Sequence, residues 1–270
     1  MPIVKVNDIL CHVLDQGHGT SLLLVHGFPL DHTMWQGQIN DLAKDYRVIA
    51  PDLRGFGRSL ATSGEIAMEQ FADDLAVLLD VLGVVEQVVF CGLSMGGYIA
   101  WQFWRRHPAR LAALILCDTR ALADPPDVAQ GRLATAERVL AEGVSLLPET
   151  MLPRLFAPVT FAQQPELIAA TRRVMLATPS AGAAAALRGM ARRHDFTSQL
   201  GEIKVPTLVV CGEQDAIATV SEMRSMAACI AGAQFIEIPD AGHLAPLEKP
   251  ASVNAAIRDF LAARAAGSPG

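Results

Sequence analysis

The chain is predicted to fold as an α/β protein: a mostly parallel central sheet flanked by helices, with a helical cap inserted into it. Three observations predict this. Short apolar runs such as Leu22-Leu23-Leu24-Val25 and Val88-Val89-Phe90-Cys91 alternate with segments of helical periodicity, the pattern of parallel strands with helices on both faces. The polar and glycine-rich signals cluster directly after the strand-like runs, at His26, Ser94, Asp118 and Asp215, where ligands of such sheets bind. Residues 121–196 break the alternation: they hold no clear strand, only helical segments punctuated by Pro125-Pro126, Pro148, Pro153, Pro158, Pro165 and Pro179.

In order, residues 3–6 and 9–13 read as paired strands around the turn dipeptide Asn7-Asp8. Residues 22–25 form the next strand, ending at His26-Gly27-Phe28-Pro29, and a helical stretch covers 34–44. Strand 47–50 runs into the glycine-rich loop Pro51-Asp52-Leu53-Arg54-Gly55-Phe56-Gly57-Arg58-Ser59. Phe71, Leu75, Leu78, Leu79 and Leu82 recur at helical spacing over 68–82, and Gly83 closes that helix. The strand from Val88 breaks at Gly92-Leu93-Ser94-Met95-Gly96-Gly97, and helix 98–106 follows and stops at His107-Pro108. Trp101, Phe103 and Trp104 on it read as core packing. After strand 111–117 comes the insertion, in which the Ala-rich run 181–187 reads as surface helix. Strands 207–211 and 234–238 and a helix over 253–263 complete the pattern, leaving a tail, 265–270, expected to be mobile. The core is thus expected to be 1–120 and 197–270, with 121–196 as a helical cap over the strand ends.

Apolar residues make up 51% of the 270 and charged residues 19%, enough for a substantial core and too apolar for general disorder. Net charge is −6, and the Lys and Arg residues are scattered, which argues against a nucleic-acid partner. Five cysteines, an odd number without a C-x-x-C pair, do not suggest a disulfide framework, and a reducing cytoplasm fits them best. The first residues lack the charged and apolar regions of a signal peptide, and apolar runs such as 111–117 are far short of the roughly 20 residues that span a bilayer. No membrane partner is expected.

Strand, G-x-S-x-G and helix together form the context of a nucleophile elbow. A serine there sits on a strained turn with its hydroxyl exposed, so no Cβ can crowd the positions two before and two after it. A serine hydroxyl is a weak nucleophile until a base takes its proton, and the base needs a third group to hold its tautomer. The chain supplies both after later strands: Asp215 in Gly212-Glu213-Gln214-Asp215, and His243 in Asp240-Ala241-Gly242-His243. Asp118, also at a strand end, is the competing acid; Gly-x-x-Asp favours Asp215. Glu213 and Asp240 read as solvated loop residues, Asp52 and Arg54 as ordering their own loop, and His12, His18, His32, His107 and His194 as surface or packing residues without metal-ligand spacing. Gly55-Phe56-Gly57 does not extend to a dinucleotide fingerprint, because Leu60 stands where the third glycine is needed. No P-loop is present.

With the order Ser, Asp, His, the chain resembles the α/β-hydrolase superfamily over nearly its whole length. His26-Gly27-Phe28-Pro29 is similar to that family's oxyanion loop, Pro51–Gly57 to its Asp-x-x-Gly-x-Gly loop and Gly92–Gly96 to its elbow. Within the superfamily it resembles small bacterial carboxylesterases with a helical cap, related to enol-lactonases and cofactor-free perhydrolases. The resemblance implies that Ser94 attacks an ester carbonyl, His243 accepts its proton and Asp215 orients the imidazole. It further implies that the N–H groups of Phe28 and Met95 hold the oxyanion, with His26 and Gly27 supporting the loop. It implies no metal and no cofactor, a small-molecule ester as substrate, and a monomer or small homo-oligomer. Serine at the elbow argues against dehalogenase and epoxide-hydrolase relatives, which carry aspartate there. Met151, Leu152, Leu155, Phe156, Phe161, Met175, Leu176 and Met190 suggest that any pocket under the cap is apolar, suited to short or medium acyl groups. An enol-lactonase is the alternative; its anionic substrate would want a clamp such as Arg154, Arg172, Arg173, Arg188, Arg192 or Arg193. A receptor or sensor that keeps the same three residues is the reading of another class, and turnover rate would separate it.

Overall fold

The computed structural model describes residues 2–266. Eight strands form one sheet: β1 Ile3–Val6, β2 Ile9–Gln16, β3 Ser21–Val25, β4 Arg47–Pro51, β5 Val88–Leu93, β6 Leu111–Cys117, β7 Thr207–Gly212 and β8 Gln234–Ile238. Their order is β1-β2-β4-β3-β5-β6-β7-β8. Strands β3 to β8 pair in parallel, while β1 and β2 are antiparallel to each other and β2 to β4. β2 runs three residues beyond its predicted end, because Leu14, Asp15 and Gln16 pair with Ala50, Ile49 and Val48 of β4. The central strands β3, β5, β6 and β7 are buried at every residue, whereas edge strand β8 alternates, as expected where helices cover both faces of a parallel sheet.

The core helices are α1 Gln36–Leu42, α2 Met68–Val81, α3 Met95–Arg106, α9 Val220–Ala228, α10 Ala245–Glu248 and α11 Pro250–Ala266. Helix α2 packs on α3, and α1 packs on α11. The helix predicted over 34–44 is divided: His32–Trp35 form a 3-10 turn whose Thr33 N–H is capped by Asp31 at 2.9 Å, and α1 follows. Trp101 and Phe103 are core residues of α3, the Trp101 indole N–H donating to the Arg120 carbonyl at 2.8 Å, and Trp104 packs half-buried beside them. Helix α11 takes in Ala265 and Ala266; residues 267–270 of the predicted tail lie outside the described residues.

Between β6 and β7 lie five helices, α4 Pro126–Glu142, α5 Leu146–Leu155, α6 Pro158–Gln163, α7 Pro165–Ala177 and α8 Ser180–Ala191. Helix α4 packs on α8, and α5 on α7. The reading of the Ala-rich run as surface helix is overturned. Ala183 to Ala186 are completely buried in α8, and a Cβ on Gly182 would collide with the backbone of Gly55. Small side chains let this helix approach the glycine-rich loop after β4 backbone to backbone, which larger residues would forbid. Among the described residues no helix is long and apolar enough to cross a membrane.

Candidate active site

Ser94 joins β5 to α3 with φ +53° and ψ −110°, a left-handed conformation that a non-glycine residue keeps only when its surroundings enforce it. They do. Its N–H donates to Cys117 O at 3.0 Å and its carbonyl accepts the Thr119 hydroxyl at 2.7 Å. A Cβ on Gly92 would collide with Gly96 O, and one on Gly96 with Val25 O, so the tight turn requires both glycines.

His243 follows β8 and Asp215 follows β7, and both are buried. The Oδ1 of Asp215 accepts the N–H groups of Ile217 (2.7 Å) and Ala218 (3.0 Å), which leaves Oδ2 for His243 Nδ1 at 2.8 Å. A carboxylate only accepts, so Nδ1 carries the proton and the lone pair of Nε2 faces Ser94 Oγ at 2.9 Å. Asp118 makes no such contact. Its Oδ1 accepts Gly212 N–H at 2.8 Å, and a carboxyl oxygen lies within 4.8 Å of both an Asp215 oxygen and Cys211 Sγ. Complete burial, reinforced by the Asp215 charge, pushes its carboxyl well above the usual range. Of the two candidate acids, the one beside the imidazole is Asp215.

The loop after β3 faces the same turn. The Nε2 of His26 accepts Leu53 N–H at 3.0 Å, so its Nδ1–H donates to Gly27 O, also at 3.0 Å. Burial lowers its pKa and keeps it neutral. A Cβ on Gly27 would sit 2.7 Å from Leu93 Cδ2. Phe28 stands edge-on to Phe56, ring centroids 6.0 Å apart. Asp52 orders a wider region than its own loop: it accepts His32 Nδ1–H (2.6 Å), His12 Nδ1–H (2.9 Å) and the N–H groups of His32 (3.0 Å) and Arg58 (2.9 Å). His12 and His32 are therefore buried packing residues that brace β2, the loop after β3 and the loop after β4 against one another. With Asp52 they are close enough to share a metal ion, but both Nδ1 atoms are engaged by the carboxylate. Arg54 reaches outside its loop, to Asp74 (2.8 and 2.9 Å) and Asp8 (2.7 Å).

Ser94, His243 and Phe28 line a cavity of about 530 Å³ whose other walls come largely from the helical insertion. Of the predicted apolar residues, Met151, Leu155 and Met190 line it, joined by Leu147 and Leu187; Leu152, Phe156 and Met175 are buried, and Phe161 and Leu176 are exposed. Of the predicted arginines only Arg154 lines the cavity, and it makes no ion pair among the described residues. Arg172, Arg188 and Arg192 pair with Glu149, Glu137 and Glu65. Arg120, Arg132, Asp124 and Tyr98 also line the cavity and were missed from sequence. Arg132 and the buried Arg193 both pair with Asp124 at 2.6 Å, a cluster with one positive charge in excess. Position after a strand end is the one local signal that could have found Arg120.

Residues 20–250 match the family model for the alpha/beta hydrolase fold. The chain belongs to the α/β-hydrolase family. It is similar to a solved thermophilic esterase from Thermogutta terrifontis (malate bound), 48% identical with a TM-score of 0.94 over 97% of each chain. It is also similar to the solved enol-lactonase from Burkholderia xenovorans LB400, 32% identical with a TM-score of 0.90 over 97% of this chain and 100% of that one. A curated relative, 3-oxoadipate enol-lactonase 1 of Acinetobacter baylyi (strain ATCC 33305 / BD413 / ADP1), is 32% identical over 82% of this chain and 80% of its own. This α/β-hydrolase is accordingly a hydrolytic enzyme with esterases and enol-lactonases among its neighbours.

Proposed function

We propose that the chain is a serine carboxylesterase that hydrolyses short- to medium-chain esters through an acyl-enzyme on Ser94. The observation that carries this is the hydrogen-bonded chain Ser94 Oγ–His243 Nε2–Nδ1–Asp215 Oδ2, at 2.9 and 2.8 Å, opening on a cavity. In this reading Ser94 Oγ attacks the ester carbonyl as its proton passes to His243 Nε2, and Asp215 stabilises the imidazolium. The oxyanion is held by the N–H groups of Met95 and Phe28. Met95 is the first residue of α3, where N–H groups have no partner inside the helix; Phe28 N–H makes no hydrogen bond among the described residues. His243 returns its proton to the leaving alkoxide, then activates the water that splits the acyl-enzyme. The helical insertion acts as the cap, and its Leu and Met side chains receive the apolar part of the ester. The 48% identical esterase supports the same reading.

A second reading, enol-lactone hydrolysis, is favoured by Arg154 and the excess positive charge at Arg132, and by the lactonase relatives. Initial rates on p-nitrophenyl acetate, butyrate and octanoate, with Ser94→Ala beside the native protein, test the first. The expected result is turnover that is lost in the variant and declines toward long acyl chains. Slow or variant-insensitive turnover refutes it, and a kcat/KM for an anionic enol-lactone far above that for any ester selects the second.

A further inference from the structure

We infer that Glu248 is a positioning residue for His243: a buried carboxylate that fastens the loop carrying the imidazole to the helical insertion that walls the cavity. The inference rests on the proposed role of His243 as the base. Glu248 ends α10 and is 3% exposed. One oxygen, Oε1, accepts the N–H of Gly242, the residue before His243, at 2.8 Å. The other, Oε2, accepts Ala157 N–H at 2.9 Å and the Thr160 hydroxyl, both at the start of α6. No basic side chain forms an ion pair with it among the described residues. Burying a carboxylate without a cation is costly, and an apolar side chain would fill the same space at less cost. What the carboxylate adds is the joint between two elements.

The surrounding backbone is built to the same end. Leu244 N–H donates to Leu155 O at 3.2 Å, and a Cβ on Gly242 would stand 2.6 Å from Ala157 N, so the His243 loop lies directly on the α5–α6 junction. On its other side Gln214 N–H donates to Ala241 O at 2.8 Å, tying the loop to the segment that carries Asp215. Met151, Arg154 and Leu155, at the end of α5, line the cavity. The end of α5 is thus joined to the His243 loop twice, directly by the Leu155–Leu244 bond and, through Ala157, by one carboxylate. The seating of the insertion and the place of His243 over Ser94 are set together.

Glutamine distinguishes this role from plain packing. Its amide has one accepting oxygen, which stays with the two donors of α6, and an NH2 that then meets Gly242 N–H donor to donor. With p-nitrophenyl butyrate, Glu248→Gln should lose about 10- to 100-fold in kcat, the scale of a reacting group misplaced by about an ångström. KM should change by less than about threefold, because the cavity walls remain. The rate of Ser94 labelling by a fluorophosphonate should fall in parallel. A lowered unfolding temperature with native kcat and labelling rate overturns the inference. Should Glu248→Gln not fold, Thr160→Val, which removes one bond on the α6 side alone, decides: a several-fold fall in kcat supports the joint and an unchanged kcat overturns it. Native protein that neither turns over esters nor labels at Ser94 overturns the functional reading itself, whereas active native protein with unaltered variants overturns only the role of Glu248.

Discussion

Replacing Asp215 by asparagine isolates the tautomer of His243 from every other property of the site. Two backbone N–H groups, at 2.7 and 3.0 Å, hold one side of the Asp215 side chain. An asparagine must turn its carbonyl to them, because an NH2 there would face two donors. Its NH2 is then left toward His243 Nδ1, 2.8 Å from the native Oδ2, and the imidazole must accept on Nδ1 and carry its proton on Nε2. That proton points at Ser94 Oγ, 2.9 Å away, so the imidazole can no longer take the serine's proton as the proposed mechanism requires. The same substitution in serine proteases of an unrelated fold costs about 10⁴ in kcat, about 5 kcal/mol in the barrier. We expect a loss of that order for p-nitrophenyl butyrate in Asp215→Asn, with KM within a few-fold and thermal unfolding close to native. A folded variant within tenfold of the native kcat would refute the argument, since Asp215 would then not be setting the tautomer.

Further outcomes follow from buried groups. Burial opposes the charge of Asp52, but the His32 imidazole and the N–H groups of Arg58 and His32 outweigh it and hold the carboxyl far below the usual range; against the pull of burial, Asp52 in turn raises the pKa of His32. The Asp52 contribution is complete above the unfolded value of about 3.9 and is lost as pH falls through the depressed folded value. The His32 contribution is complete below about 6.5 and is lost as pH rises through the raised one. Urea unfolding should therefore show the largest deficit of Asp52→Asn between about pH 4 and 6.5, and a deficit independent of pH would contradict this. Asp118 has the opposite sign: with its carboxyl raised by burial and by Asp215, the folded chain must take up a proton that the unfolded chain releases above about pH 3.9. Asp118→Asn should stabilise the protein at pH 7, with the gain vanishing near pH 4; equal or lower stability at pH 7 counts against a raised carboxyl. In Gly182→Ala the new methyl would collide with Gly55, and overpacking of this kind costs about 1–3 kcal/mol, so calorimetry should show a lower unfolding temperature.

The order of strands and helices and the strand-end positions of His26, Ser94, Asp215 and His243 were legible in the chain, because they rest on local signals. Apolar periodicity, glycine at tight turns and the stop at His107-Pro108 act over a few residues, and the neighbours in sequence suffice to read them. The division of the 34–44 helix was not read from the sequence, although its signal is local too, with Asp31 capping a 3-10 turn. The burial of the Ala-rich helix α8 was not legible, since composition alone does not reveal that Gly55 lies against Gly182.

Which aspartate meets His243 was decided by tertiary structure. Asp118 and Asp215 follow adjacent parallel strands, and Gly-x-x-Asp favoured Asp215 in the sequence without placing it beside the imidazole. They differ because Asp215 is held by Ile217 and Ala218 with one oxygen toward the imidazole, while Asp118 is turned into the sheet against Gly212. The pairing of Asp52 with His12 and His32, the bond of Arg193 to Asp124, and the bonds of Ala157 and Thr160 to Glu248 likewise join residues distant along the chain. Such contacts leave no periodicity in the sequence. The sequence by itself determined the fold class and the residue types available at the strand ends, because propensity and turn chemistry are local. Only the tertiary structure decided which of those residues share hydrogen bonds, because a buried polar group is satisfied by whatever packing places within about 3 Å of it.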